Sequence, residues 1–64
     1  MRVRIYDVNQ NTGAETLVGE DWLEDIMEHD DPEYGMANDY LRRMGTYRLG
    51  GGAAPLVMLM KVEG

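Results

Sequence analysis

The hydrophobic and polar positions at the start of the chain predict a β-hairpin. Residues 2–8 alternate polar and apolar up to Ile5 and are rich in β-branched and aromatic side chains, which is typical of a strand. Residues 9–13 form a turn cluster, in which Asn and Gly tolerate a positive φ. Residues 15–18 can return as a short second strand. We therefore expect two antiparallel strands joined by this turn.

A helical period follows the hairpin and predicts an amphipathic helix over residues 20–29. At about 100° per residue, four apolar side chains share one arc and five acidic side chains fill most of the opposite arc. We expect the apolar arc to be buried. The apolar positions are Trp22, Leu23, Ile26 and Met27, and the acidic positions are Glu20, Asp21, Glu24, Asp25 and Glu28.

Strong start and stop signals bound a second helix. Asp31 can cap its N-terminus, Pro32 suits the first helical position, and Gly45 is a natural stop after Met44. Between these signals, six apolar residues recur on one face, which we expect to pack against the sheet with Tyr34 and Tyr40 half-buried. The six are Tyr34, Met36, Ala37, Tyr40, Leu41 and Met44.

The last third of the chain predicts a second pair of strands. Residues 46–49 form a short strand and residues 50–55 a glycine-rich connection, while Leu56–Val62 is apolar on both faces for its first five residues. The prediction is one α+β domain over residues 1–64, a small, mostly antiparallel sheet of three to four strands with two short helices packed on one face. We expect a homodimer or another apolar contact on the uncovered sheet face, from Leu56 to Met60.

Composition removes several classes of function. The chain of 64 residues has no Cys, which excludes disulfides, thiolate metal sites and Cys nucleophiles, and its single His excludes a multi-His metal site. The acids around His29 lack the alternate spacing and central glycine of a calcium loop. No apolar run approaches the ~20 residues of a membrane span, and the first residues lack the basic-then-apolar pattern of a leader, so we expect a protein that is not secreted. We therefore expect a cytoplasmic, non-catalytic binding protein without metal, cofactor or membrane contact.

The distribution of charge carries the most functional information. The net charge is −6, yet all six Lys and Arg lie outside the 37 residues from Ile5 to Leu41, which hold eleven of the twelve acids. Like charges four residues apart destabilise a helix, whereas a negative face attracts positive surfaces. The candidate partner-binding residues are Glu20, Asp21, Glu24, Asp25, Glu28, Asp30, Asp31, Glu33 and Asp39.

A row of carboxylates can imitate the phosphates of DNA. Carboxylates four residues apart on a helix lie about 6 Å apart along its axis. They can therefore occupy part of a basic groove that binds phosphates, whose charges repeat every ~3.4 Å along each strand. Direct binding of nucleic acid is disfavoured, because a net charge of −6 repels it.

Several features of the whole chain point to one kind of protein. These are the length of 64 residues, the absence of Cys, the α+β pattern and the acidic run EDWLEDIMEHDD at residues 20–31. With them the chain resembles the small phage-encoded anti-CRISPR proteins, in particular the acidic ones that inhibit type I surveillance complexes. The resemblance implies an inhibitor that binds a Cas subunit in the bacterial cytoplasm and keeps target DNA out of its basic channel. Anti-restriction proteins, which also mimic DNA, would share these features.

An alternative interpretation assigns no binding role to the acids. In that case they only keep the chain soluble, and the protein is a small homodimeric structural or regulatory phage protein. Its interface would be the apolar strand segment from Leu56 to Met60.

Overall fold

Four strands and two helices form the fold, which a computed structural model describes for residues 1–50 and 56–63. The sheet has the strand order β2-β1-β4-β3, and all neighbouring strands are antiparallel. The α+β class predicted from the sequence is therefore confirmed. The elements are β1 (Arg2–Asn9), β2 (Glu15–Trp22), α1 (Leu23–Ile26), α2 (Pro32–Met44), β3 (Thr46–Leu49) and β4 (Leu56–Val62).

Strands β1 and β2 form the predicted hairpin, but β2 continues well beyond residue 18. The Asn9 side chain accepts a hydrogen bond from the Asn11 N–H at 2.9 Å, and Gly13 takes a φ of 76°. These two positions supply the turn chemistry that the sequence indicated. From there the pairing runs to the far end of β1, where Arg2 lies opposite Trp22.

The predicted helix over residues 20–29 is wrong in its extent. Residues 20–22 are the last of β2, and α1 contains only four residues. Pairing with β1 gives this segment a ladder of backbone hydrogen bonds, which overrides its helical periodicity. Trp22 is 49% exposed, so the expectation that it lies in the core is wrong, whereas Leu23 and Met27 are buried as expected.

Helix α2 has the bounds and caps that its sequence predicts. The Asp31 carboxylate accepts a hydrogen bond from the Glu33 N–H at 2.9 Å, and Pro32 is the first helical residue. Gly45 ends the helix with a φ of 81°, and its N–H donates to the Leu41 carbonyl at 3.0 Å. This left-handed conformation explains why a glycine stands there.

The main core lies between the sheet and the helices. Its buried side chains are Val3, Leu23, Met27, Ala37, Leu41 and Met60. Three of the six apolar positions of α2 that the sequence predicts to pack against the sheet are exposed, and these are Met36, Tyr40 and Met44. Helix α2 packs on β3 and β4, and β3 is the last strand on its side of the described sheet. The sheet therefore ends before it covers the whole apolar face of α2.

Strand β4 lies inside the sheet, between β1 and β3. Within the apolar segment, residues 57–60 are buried or half-buried. On the sheet face away from the core, Val57 and Leu59 pack with Val8 and Tyr6. The described part of the interface expected there thus exposes little apolar surface. Residues 51–55 of the predicted glycine-rich connection, and the Leu56 side chain, lie outside the described part.

Candidate acidic binding surface

Six acids are concentrated in the loop between the two helices and in the helical turns on either side of it. Residues 24–33, which we call the acidic turn, contain one His and no Lys or Arg. Glu33 is half-buried, and the other five acids are exposed. Because α1 ends at Ile26, they do not form the row on one helix face that the sequence indicated. The six are Glu24, Asp25, Glu28, Asp30, Asp31 and Glu33.

Backbone and ring contacts give the acidic turn a defined shape. The Asp31 N–H donates to the Glu28 carbonyl at 3.0 Å, and the Tyr34 N–H donates to the Asp31 carbonyl at 2.9 Å. The His29 and Tyr34 rings pack with their centroids 4.6 Å apart. Met27 is buried in the core and anchors the segment from beneath. The acids are therefore displayed on an ordered surface.

Three of the six acids form contacts with other parts of the fold. The Glu24 carboxylate accepts hydrogen bonds from the Met1 ammonium at 2.9 and 3.0 Å and from the Tyr34 hydroxyl at 3.4 Å. The ammonium contact is the main cause that lowers the pKa of Glu24. Asp31 caps α2, and Glu33 accepts a hydrogen bond from the Tyr47 hydroxyl at 3.0 Å.

The other three acids of the turn project their charge into solvent. Asp25, Glu28 and Asp30 are exposed, and they form no ion pair or side-chain hydrogen bond with any residue in the described part of the chain. Within residues 1–50 and 56–63, no cationic group pairs with these charges. They are the groups best placed to meet a basic surface.

The remaining candidate residues lie elsewhere and are already engaged. Glu20 is on the sheet face opposite the helices, paired with arginines of β1. Asp21 accepts a hydrogen bond from the Trp22 N–H at 2.7 Å. Asp39 pairs with Arg43 at 3.0 Å, six residues and so about 9 Å along α2 from the end of the turn. The structure thus does not bring these three carboxylates together with the acidic turn.

Basic side chains of β1 and β4 occupy the sheet face opposite the helices, where acids offset them. Arg2 and Arg4 each lie 3.6 Å from Glu20. The Lys61 ammonium donates to Glu15 at 2.7 Å, which is the main cause that raises the pKa of Lys61. Three of the six basic side chains are therefore paired with acids on this sheet face, away from the unpaired carboxylates of the acidic turn.

A second surface feature escaped the sequence reasoning. An open groove of about 390 Å³ runs beside β3, and α2 lines it with the side chains of Met36, Tyr40 and Met44. We call these three side chains the apolar stripe. The sequence signal for this groove is the number of apolar positions on α2, six in a helix of 13 residues. So wide an apolar arc is more than a sheet that ends at β3 can cover.

The tyrosine contacts predict a loss of stability in alkali. Burial, followed by the hydrogen bond to Glu33, raises the pKa of Tyr47 above 10.0, so the folded chain holds the phenol proton more tightly than the unfolded chain. This contribution is complete below pH 10 and is lost as the pH rises through the folded pKa. We expect the unfolding free energy of Tyr47→Phe to fall less above pH 10 than that of the parent. Urea titrations at several pH values measure this, and equal slopes would contradict it.

The described residues offer neither a metal site nor a membrane-spanning helix. Across residues 1–50 and 56–63, no group of three or more His, Asp or Glu side chains is placed to hold a metal ion. Over the same two ranges, no helix combines the length and the apolar character needed to cross a bilayer.

Comparison with known proteins gives no relative from which a role could be transferred. No family model matches the chain, and no match is found among curated proteins or among solved structures. The function must therefore be argued from the chemistry of the molecule's own surface.

Proposed function

We propose that the protein is a non-catalytic inhibitor of the anti-CRISPR type, acting in the bacterial cytoplasm. Its acidic turn would occupy the basic nucleic-acid-binding site of a Cas subunit or a similar host defence protein and so block the binding of target DNA. The observation that carries this proposal is the set of three exposed, unpaired carboxylates of Asp25, Glu28 and Asp30 on an ordered turn.

The size of the acidic turn limits what it can imitate. Asp25 lies in α1, whereas Glu28 and Asp30 lie in the loop that follows it. The segment from Asp25 to Asp30 spans at most ~18 Å even if extended. That upper limit corresponds to about five phosphate spacings along one DNA strand. The proposal is therefore that the turn replaces a short stretch of one strand at a single basic site, rather than the whole surface of a duplex.

Charge segregation favours this mode of binding. An approaching basic groove meets unpaired carboxylates at the acidic turn, while Arg2, Arg4 and Lys61 are held by acids on the far sheet face. Positive charges next to the acidic turn would repel a basic partner. Keeping positive charge away from the turn therefore accelerates association and fixes the orientation of the partner. The alternative, a homodimer through the segment from Leu56 to Met60, stays a prediction. The described residues of that segment are buried or half-buried, so they offer little apolar surface for such a contact.

A pull-down with a DNA competitor tests the proposal. The immobilised protein is incubated with a nuclease-treated lysate from bacteria that carry CRISPR–Cas and restriction systems, and is washed at low salt. We expect a nucleic-acid-processing complex to be retained and then released by duplex DNA, because both ligands need the same basic site. Raising the salt should release it too, since screening weakens exposed charge contacts. An equal mass of dextran is the control, and retention that neither DNA nor salt reverses would contradict the proposal.

A further inference from the structure

The apolar stripe on α2 is large for a chain of this size. Met36, Tyr40 and Met44 are 55%, 43% and 70% exposed, and they follow one another four residues apart along a single line of the helix. All three line the groove beside β3, together with the half-buried Tyr47. Contiguous exposed apolar side chains of this kind mark interaction sites.

In the described part of the chain, the strand next to the stripe is bonded to a neighbouring strand on one side only. β3 is an edge strand of the described sheet, so only one side of it is bonded to β4. The Val62 N–H donates to the Gly45 carbonyl at 2.9 Å, so Gly45 and Val62 form a hydrogen-bonded pair. Such pairs occur at every second residue of an antiparallel ladder. The next residue of β3 that is hydrogen-bonded to β4 is therefore Tyr47, opposite Met60. Thr46 and Arg48 therefore turn their N–H and C=O groups toward the free edge.

The edge is self-complementary in one register. Residues directly opposite each other in an antiparallel pair point to the same sheet face. A symmetric pairing of β3 with itself must therefore centre on a residue and not between two residues. Of the four residues of β3, only Tyr47 and Arg48 are centres that leave three of them paired. Centring on Arg48 sets two guanidinium groups against each other. Centring on Tyr47 sets Thr46 of each copy opposite Arg48 of the other. The outward backbone groups of these two residues have no strand partner in the described sheet, so four hydrogen bonds can form.

Charge also favours a second copy as the occupant. A two-fold axis through this register is perpendicular to the sheet, so the two α2 helices run antiparallel on the same side. The last turn of α2 carries Arg42 and Arg43, and its first turn carries Glu33. Each basic end would then lie toward the acidic end of the other helix, and the helix dipoles would oppose one another.

We propose that two copies of the chain associate through β3, centred on Tyr47, with their apolar stripes packed against each other. The association makes one continuous sheet of eight strands, and Met36 of each copy lies near Met44 of the other. It covers the stripe that the fold alone leaves exposed. This inference is independent of the proposed function, because it uses no residue between Asp25 and Asp30.

Sedimentation equilibrium tests this interface. The small contact area implies weak association, so we expect a reversible monomer–dimer equilibrium between about 1 μM and 1 mM protein at ~0.15 M salt. Met44→Glu places a charge in the interface and should weaken dimerisation at least about tenfold. Met44 is 70% exposed, so the substitution should leave the monomer folded, as far-UV circular dichroism checks. The matched control is Leu17→Glu, which is 53% exposed on the opposite edge strand and should leave dimerisation unchanged.

A second variant addresses the strand pairing itself. Arg48→Pro removes an N–H that faces the free edge and no N–H that bonds to β4, so it should weaken the dimer while the sheet stays intact. A chain that is monomeric throughout this concentration range would overturn the proposal. A dimer that Met44→Glu leaves unchanged would overturn it too, and would point to another face such as β4. Either result leaves the inhibitor proposal to its own test.

Discussion

Replacing Leu23 by Ala should lower the unfolding free energy by about 2–5 kcal/mol, whereas replacing the neighbouring Trp22 by Ala should lower it by about 1 kcal/mol or less. Leu23 is completely buried in the main core, although it belongs to a helix of only four residues. Trp22 is 49% exposed at the end of β2, and the Arg2 guanidinium lies 5.7 Å from the centroid of its ring. The larger side chain is therefore expected to matter less.

Urea unfolding followed by far-UV circular dichroism measures both variants, since a signal from tryptophan would be lost in one of them. A domain of 64 residues has a total stability of only about 3–10 kcal/mol, so Leu23→Ala leaves little in reserve. Leu23→Met, which keeps most of the volume, is the control and should cost less than about 1.5 kcal/mol. A Trp22→Ala variant as unstable as Leu23→Ala would mean that Trp22 is a core residue, as the helical pattern over residues 20–29 implied.

This contrast shows where local signals determine structure and where they do not. Helix α2 was predicted with its bounds because its signals are short-range: Asp31 and Pro32 at the start and Gly45 at the end. Residues 20–22 have a convincing helical period, yet they pair with β1 near the start of the chain. Pairing between residues so far apart in the sequence, such as Arg2 and Trp22, depends on where the hairpin turn lies and on the register that it sets. No window of local periodicity contains that information.

The acidic surface was predictable as a composition and not as an arrangement. The absence of Lys and Arg between Ile5 and Leu41 is visible in the sequence, and it identified the region now described as the acidic turn. Which carboxylates are free was not visible, because the partners are distant in sequence. Glu24 binds the Met1 ammonium, and Glu33 binds the Tyr47 hydroxyl. Separating structural acids from displayed ones required the tertiary fold.

The exposed apolar stripe illustrates a related limit. A helical face with six apolar residues predicts burial, and Ala37 and Leu41 are buried. How much of the rest is covered depends on how far the sheet extends beneath the helix. Here β3 has four residues and is the last described strand on that side, so Met36 and Met44 remain exposed.

The second large effect is expected at the acidic turn. The double substitution Asp25→Lys and Glu28→Lys should weaken binding of the complex retained in the pull-down by about 100-fold or more, because two attractive contacts become repulsive. These positions are chosen because both are exposed and neither has an ion-pair partner in the described part of the chain. Glu24 is left unchanged, since its reversal would also break the contact with the Met1 ammonium. The affinities can be compared by biolayer interferometry against the purified complex.

A matched control separates the position of the charge from its amount. Ala14→Lys, Thr16→Lys, Leu17→Lys and Val18→Lys together change the net charge by the same four units as the double substitution, but on exposed positions in and next to β2 whose side chains form no ion pair in the described part of the chain. Lysine is well tolerated on an edge strand, so this variant should fold and should bind nearly as well as the parent. Equal losses in the two variants would mean that binding follows net charge alone. Unchanged binding by a folded Asp25→Lys, Glu28→Lys variant would show that the acidic turn does not contact the basic site. Two lysines in place of two carboxylates would be repelled by a groove that binds phosphates.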